Sequence, residues 1–173
     1  MALLEILEVP DRRLTTLCEP VTSIDAKLER LLDDMLETMY AAPGIGLAAP
    51  QVGLLERAFV LDLGGEDARE PLCLINPELV WHSEESQIAE EGCLSLPKQF
   101  GEVSRAQEVR VRYRDRQNQE QEVFGEGLLA RCLQHEIDHL NGILFVDHLS
   151  TLKRTLILRR LAKAKRAQNR KSA

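Results

Sequence analysis

No stretch of this 173-residue chain comes near the roughly 18 consecutive apolar residues that a membrane span needs, so no membrane partner is expected. The first eight residues, Met-Ala-Leu-Leu-Glu-Ile-Leu-Glu, lack both a basic start and a long apolar run, which argues against a secretory signal. Paired cysteines are lacking as well. The four present, Cys18, Cys73, Cys93 and Cys132, are scattered, without the close pairs of a structural zinc site. These absences together predict a soluble protein of the reducing cytoplasm. Repeats, linkers and low-complexity tracts are also missing. The length suits one domain over residues 1–173, large enough for a core without disulfides. One absence is local: residues 149–173 carry nine Lys or Arg and no acid, while the rest of the chain carries 13 basic and 28 acidic side chains, a balance of +9 against −15. A solvated helix end is the ordinary reading of such a run. The functional reading is an electrostatic arm for RNA; DNA is not an expected partner.

What the chain does possess is the run His135-Glu136-Ile137-Asp138-His139. On a helix the two histidines lie one turn apart on the same face and can grip one metal ion. Glu136 is rotated from His135 by about 100°, which places it beside the ion, where it can handle a proton on a water. Glycines at 127 and 142 frame this run as a helix of about four turns. Leu128, Cys132, His135 and His139 make one stripe, and Leu129, Leu133, Ile137 and Leu140 a second, with only Arg131, Gln134 and Asp138 as a polar edge. A helix apolar over most of its circumference is expected to be buried, and buried histidines need partners that a metal supplies. The reading is a metal-assisted hydrolase.

A catalytic metal usually has a third protein ligand. Cys132 is one turn before His135 and is not excluded by helix geometry. Cys93 has the better surroundings, with Gly92 before it and Pro97 soon after, which suggest an irregular turn with accessible backbone N–H groups. Both stay open on spacing alone. The other cysteines read as small core residues.

Elsewhere, residues 26–40 read as an amphipathic helix, with Leu28, Leu31, Leu32, Met35, Leu36 and Met39 at helical spacing, Asp25 as N-cap, and Pro43 and Gly44 as its end. Residues 44–53 are too rich in glycine and alanine for a stable helix, and their small side chains would let a substrate backbone come close. They lack the Gly-Lys-Ser/Thr ending of a phosphate loop. Residues 57–63 and 71–75 read as buried strands joined by a polar loop at 64–67. Val109, Val111 and Tyr113 alternate with charged residues as in a half-exposed strand, followed by a turn at 117–121 and a returning strand at 122–124. The class is α+β: small antiparallel sheets around a buried central helix carrying the His-Glu-x-x-His motif, with a basic C-terminal helix at about 150–168.

Three separated segments resemble the motifs of the peptide deformylase family, in the family's order. They are residues 44–53 (Gly-Ile-Gly-Leu-Ala-Ala-Pro-Gln-Val-Gly), 91–95 (Glu-Gly-Cys-Leu-Ser) and 134–140 (Gln-His-Glu-Ile-Asp-His-Leu). Residues 6–14 are similar to the family's N-terminus, so the resemblance covers nearly the whole chain. It implies an enzyme that removes the formyl group from the N-terminal formylmethionine of new proteins, releasing formate. Carried over residue by residue, it implies Cys93, His135 and His139 as metal ligands and Glu136 as general base and then acid. Gln51 and the Leu94 backbone N–H would be oxyanion donors, and Gly46, Ile45 and Glu91 would contact substrate. It favours Fe²⁺, with Zn²⁺, Ni²⁺ or Co²⁺ as substitutes that suit the same donors. It also implies that the C-terminal helix contacts the ribosome.

Two positions depart from the pattern. Phe100 stands where some relatives carry arginine, and Arg131 stands where an apolar residue would line a methionine pocket more simply. Arg131 would then point outward or lend its stem to the pocket wall. Two rivals bear on the reading. One is a zincin-type protease using His148 or Asp147 as third ligand; the other is a non-enzymatic ribosome-binding module with a structural metal.

Overall fold

A computed structural model describes residues 2–64 and 68–171 of the chain. Helix α1 (Ala26–Ala41) starts where Asp25 accepts hydrogen bonds from the N–H groups of Lys27 and Leu28, both at 3.0 Å. This satisfies two of the donors that a helix start leaves unpaired. Its apolar stripe, Leu28, Leu32, Met35 and Met39, is buried against β1 (Gly46–Ala48), β2 (Ala58–Leu61) and Ile75 of β3 (Leu72–His82).

Strands β1, β2 and β3 continue through β6 (Glu108–Arg114) and β7 (Glu120–Glu126) into a five-stranded sheet of order β1-β2-β3-β6-β7, with every neighbour antiparallel. Side chains alternate across a strand. In β2 this sends Ala58 and Val60 to the α1 side and Phe59 and Leu61 to the other. That other side receives α2 (Gly127–Leu140), whose Ala130, Cys132, Leu133, Ile137 and Leu140 are buried with Phe59, Leu61, Leu74, Val109 and Val111. The predicted burial of the motif helix is therefore observed, and its cause is the sheet face beneath it.

A second sheet is the hairpin of β4 (Ser86–Cys93) and β5 (Leu96–Ala106). It closes a third core with Leu144, Phe145, Val146 and two residues of α3 (Thr151–Lys171), Ile157 and Leu161. No strand was expected across residues 86–106, where charged and small residues interrupt the apolar alternation. Cys93, expected in an irregular turn, ends β4, and Leu94 and Ser95 make the tight turn that follows. The strand expected at 71–75 runs on to His82. Pairing irregularities after Ile75 let Asn76, at φ 50°, and Pro77 sit within it. Part of the loop expected at 64–67, residues 65–67, lies outside the described residues. The α+β class stands, with the two sheets flanking α2. Among the described residues no helix is long and apolar enough to cross a membrane.

Candidate metal centre

Three elements meet at one end of α2. The helix presents His135 and His139, β4 ends in Cys93, and the short helical turn Ala49–Val52 after β1 presents Gln51. The Cys93 sulfur and one ring nitrogen from each histidine lie within 4.8 Å of one another, and Sγ stands 3.3 Å from His139 Nε2. Donors bound to one tetrahedral cation at about 2.0–2.3 Å stand about 3.3–3.7 Å apart. With one pair at that separation and all three donors within 4.8 Å, a soft sulfur and two imidazoles fit a divalent first-row cation. Cys132, the alternative third donor, lies outside this group. It is buried on the Gly46 side of the helix, and its sulfur is 3.9 Å from the Ile45 carbonyl oxygen.

His135 is oriented from behind. Its Nδ1 sits 3.0 Å from Glu91 Oε2, which fixes that nitrogen as the N–H donor and leaves Nε2 for the ion. The Glu91 carboxylate is 4 % exposed and also accepts from Arg105 Nε and Nη2 and from Arg131 Nη1. Burial opposes its charge, but the hydrogen bonds from His135 and Arg105 outweigh that and hold its pKa far below the usual carboxylate range. The expected substrate contact through Glu91 therefore gives way to a supporting one, because its oxygens are already spent on protein donors. Arg131 also departs from expectation. It neither points outward nor spends only its stem here; its guanidinium is buried and donates to Glu91 Oε1, the Val103 carbonyl oxygen and the Gln87 carbonyl oxygen.

Glu136 is buried beside the three donors, and its Oε2 has no hydrogen-bond partner among the described residues. Burial pushes its pKa up to about 7. Room for the carboxylate depends on Gly46, where an added Cβ would overlap Glu136 and meet the Cys132 sulfur at 3.2 Å. Gln51, 2 % exposed, accepts from the Ala48 N–H at 2.9 Å, so its amide nitrogen must face the other way. That nitrogen donates to Ser95 Oγ at 3.2 Å and lies 3.4 Å from the Cys93 sulfur. Leu94 follows Cys93 in the turn, and Ile45 is half-exposed at the rim.

This arrangement joins a cation site, a buried carboxylate and an amide donor, which together suit hydrolysis of a small amide. Residues 3–155 match the polypeptide deformylase family. The chain belongs to the peptide deformylase family. A peptide deformylase of Azotobacter vinelandii is 55 % identical, over 96 % of this chain and 98 % of that one. One of Rhizobium meliloti is 51 % identical over 99 % of both. The crystal structure of a peptide deformylase from Legionella pneumophila superposes with a TM-score of 0.92 at 48 % identity, covering 98 % of this chain and 99 % of that one. Deformylases remove the N-terminal formyl group from nascent peptides in a metal-dependent hydrolysis, and this chain is an enzyme of that family.

The zincin alternative loses its third ligand in this geometry. His148 Nε2 pairs with Asp138 at 2.7 Å, while Asp147 accepts from the Leu144 N–H and from Arg154. Sequence reasoning missed Ser95 and Arg105. Arg105 shares a strand face with the buried Val103, but that face is defined only once β5 is seen, so no local signal marked it.

Proposed function

We propose that Cys93, His135 and His139 hold a ferrous ion and that the enzyme acts in the cytoplasm on N-formylmethionyl nascent peptides. The convergence of those three donors beside the buried Glu136 carries this reading. When bound, such a cation acidifies a water from a pKa of 15.7 to about 7 and polarises the formyl carbonyl. Glu136, with its pKa raised by burial, accepts the proton of the attacking water and returns it to the leaving amine. The C–N bond breaks, giving formate and a free N-terminus. Gln51 Nε2 and the Leu94 N–H are the donors assigned to the negative charge that develops on the formyl oxygen, with Gln51 turning from Ser95 to meet it, and Gln51 also lies against the Cys93 sulfur. Gly46 and Ile45, on the edge strand β1 and just before it, offer backbone to an extended substrate.

The donor set accommodates iron, zinc, cobalt or nickel. Iron is preferred on the resemblance, and a thiolate beside a redox-active ion predicts loss of activity in air. Anaerobic purification, elemental analysis and a formate-release assay on formyl-Met, acetyl-Met and unblocked peptides test the whole reading. Iron content with release from the formyl peptide alone is expected. Full activity in a zinc-only preparation would remove the iron assignment, and cleavage of unblocked peptides would remove the substrate.

A further inference from the structure

The Cys93-bearing hairpin is a sheet of its own in the third core, while the histidine-bearing helix packs on the five-stranded sheet, so contacts between the two set the distance from sulfur to imidazoles. Two guanidinium groups cross that seam. Arg105, on β5, reaches Glu91 of β4 and Asp138 of α2, the latter through Nη1 at 2.6 Å. Arg131, on α2 one turn before His135, makes the reverse crossing. Its Nη1 donates to Glu91 Oε1 at 2.7 Å and to the Val103 carbonyl oxygen of β5 at 2.9 Å, and its Nη2 donates to the Gln87 carbonyl oxygen of β4 at 2.6 Å. Arg131 is 8 % exposed, and its guanidinium bonds to both strands of the hairpin.

We propose that Arg131 is a positioning residue of the metal centre, holding the hairpin so that the Cys93 sulfur stays at ligating distance from His135 and His139. The proposal rests on the metal reading above and deepens it. Glu91 lies two residues before Cys93 on β4, so a tie on Glu91 constrains the sulfur directly. The same tie divides the carboxylate. Oε1 takes Arg131 and Arg105 Nε, while Oε2 takes Arg105 Nη2 and His135 Nδ1. Removing Arg131 leaves Oε1 with Arg105 Nε alone and two hairpin carbonyls without that donor, so the hairpin loses its ties to α2 through this side chain. An apolar residue at 131 would hold neither strand. The pocket-wall alternative makes a different demand, since a wall acts on substrate affinity and leaves the ion alone.

Arg131→Met and Arg131→Lys are compared with wild type as cobalt-loaded proteins. Cobalt affinity is read by competition with a chromophoric chelator, Cys93 ligation by the thiolate-to-cobalt absorption in the near ultraviolet, and kcat and KM by formate release. Loss of a supporting contact of this kind weakens metal affinity or activity by about 10–100-fold. A loss of cobalt affinity in that range is expected for Arg131→Met, with a weakened thiolate band, a lower kcat and little change in KM. Arg131→Lys, able to serve only part of the acceptor set, should fall between. A folded Arg131→Met protein with wild-type affinity and band overturns the proposal, and so does a raised KM with affinity unchanged. Should Arg131→Met fail to fold, wild-type affinity and band in Arg131→Lys overturn it equally. A wild type without a thiolate band would instead overturn the ligand assignment of Cys93.

Discussion

At the scale of single residues, the site depends on what is small as much as on what is charged. Glu136 is given a raised pKa by burial, and the space it occupies exists because position 46 has no side chain. Glu136→Ala should retain its ion by elemental analysis and lose about 10²–10⁴-fold in kcat, the usual worth of a positioned acid–base group. Gly46→Ala should lower kcat in the same direction, because the new methyl displaces the carboxylate while the three donors remain. Wild-type turnover in Gly46→Ala would show that the carboxylate position is not critical. The proposed oxyanion donors divide differently. Gln51→Ala should cost about 10²–10³-fold in kcat, with a further effect on the sulfur it contacts. Leu94 would act through its backbone, so Leu94→Ala should be mild; equal losses in the two variants would contradict that division.

At the scale of elements, α1 and the sheet it covers supply the rigid floor. Leu32 is fully buried in that layer, and Leu32→Ala should cost about 2–5 kcal/mol by denaturant unfolding. The far end of α1 is pinned where the Tyr40 hydroxyl donates to Asp62 Oδ2 at 2.6 Å, with Asp62 Oδ1 accepting from the Gly64 N–H. Burial, then the Asp62 bond, raises Tyr40 to about 12. Burial pushes Asp62 up, but the bonds from Tyr40 and the backbone outweigh it and lower its pKa. The signs differ. The raised Tyr40 contributes stability that is complete below about pH 10 and lost as pH rises toward the folded value. The depressed Asp62 contributes stability present above about pH 4 and lost as pH falls below it. Unfolding of Tyr40→Phe followed across pH should show a flatter alkaline limb and a reduced acid one. Unchanged limbs would mean the pair is energetically idle.

At the scale of the whole molecule, charge is segregated. Helix α3 turns Ile157 and Leu161 into the third core and leaves its Lys and Arg residues from Lys153 to Arg170 at the surface of an otherwise acidic protein. A polyanion such as ribosomal RNA is attracted to such a helix with a strong dependence on salt. Truncation after residue 162 keeps both buried residues and removes Lys163, Lys165, Arg166, Arg170 and Lys171. It should abolish low-salt co-sedimentation with ribosomes while sparing deformylation of a short formyl peptide. Unchanged co-sedimentation would make the helix ordinary surface.

Local pattern was enough for α1 with its Asp25 cap, for α2 with its glycine frame, and for the alternating strand β6, because each is dictated by spacing and chemistry within a few residues. The same holds for the two histidines and Glu136, which one helix places together. The β4–β5 hairpin was not legible. Its strands mix charged, glycine and apolar positions, and its buried side is polar where Glu91 and Arg105 pair. Nor could spacing choose between Cys93 and Cys132, since one is on the helix and the other reaches it only when two sheets close around α2. The burial of Arg131 and the duty of Glu91 were likewise decided by packing. A charge goes inside when another element supplies its counter-charge and acceptors, and that pairing exists only in three dimensions.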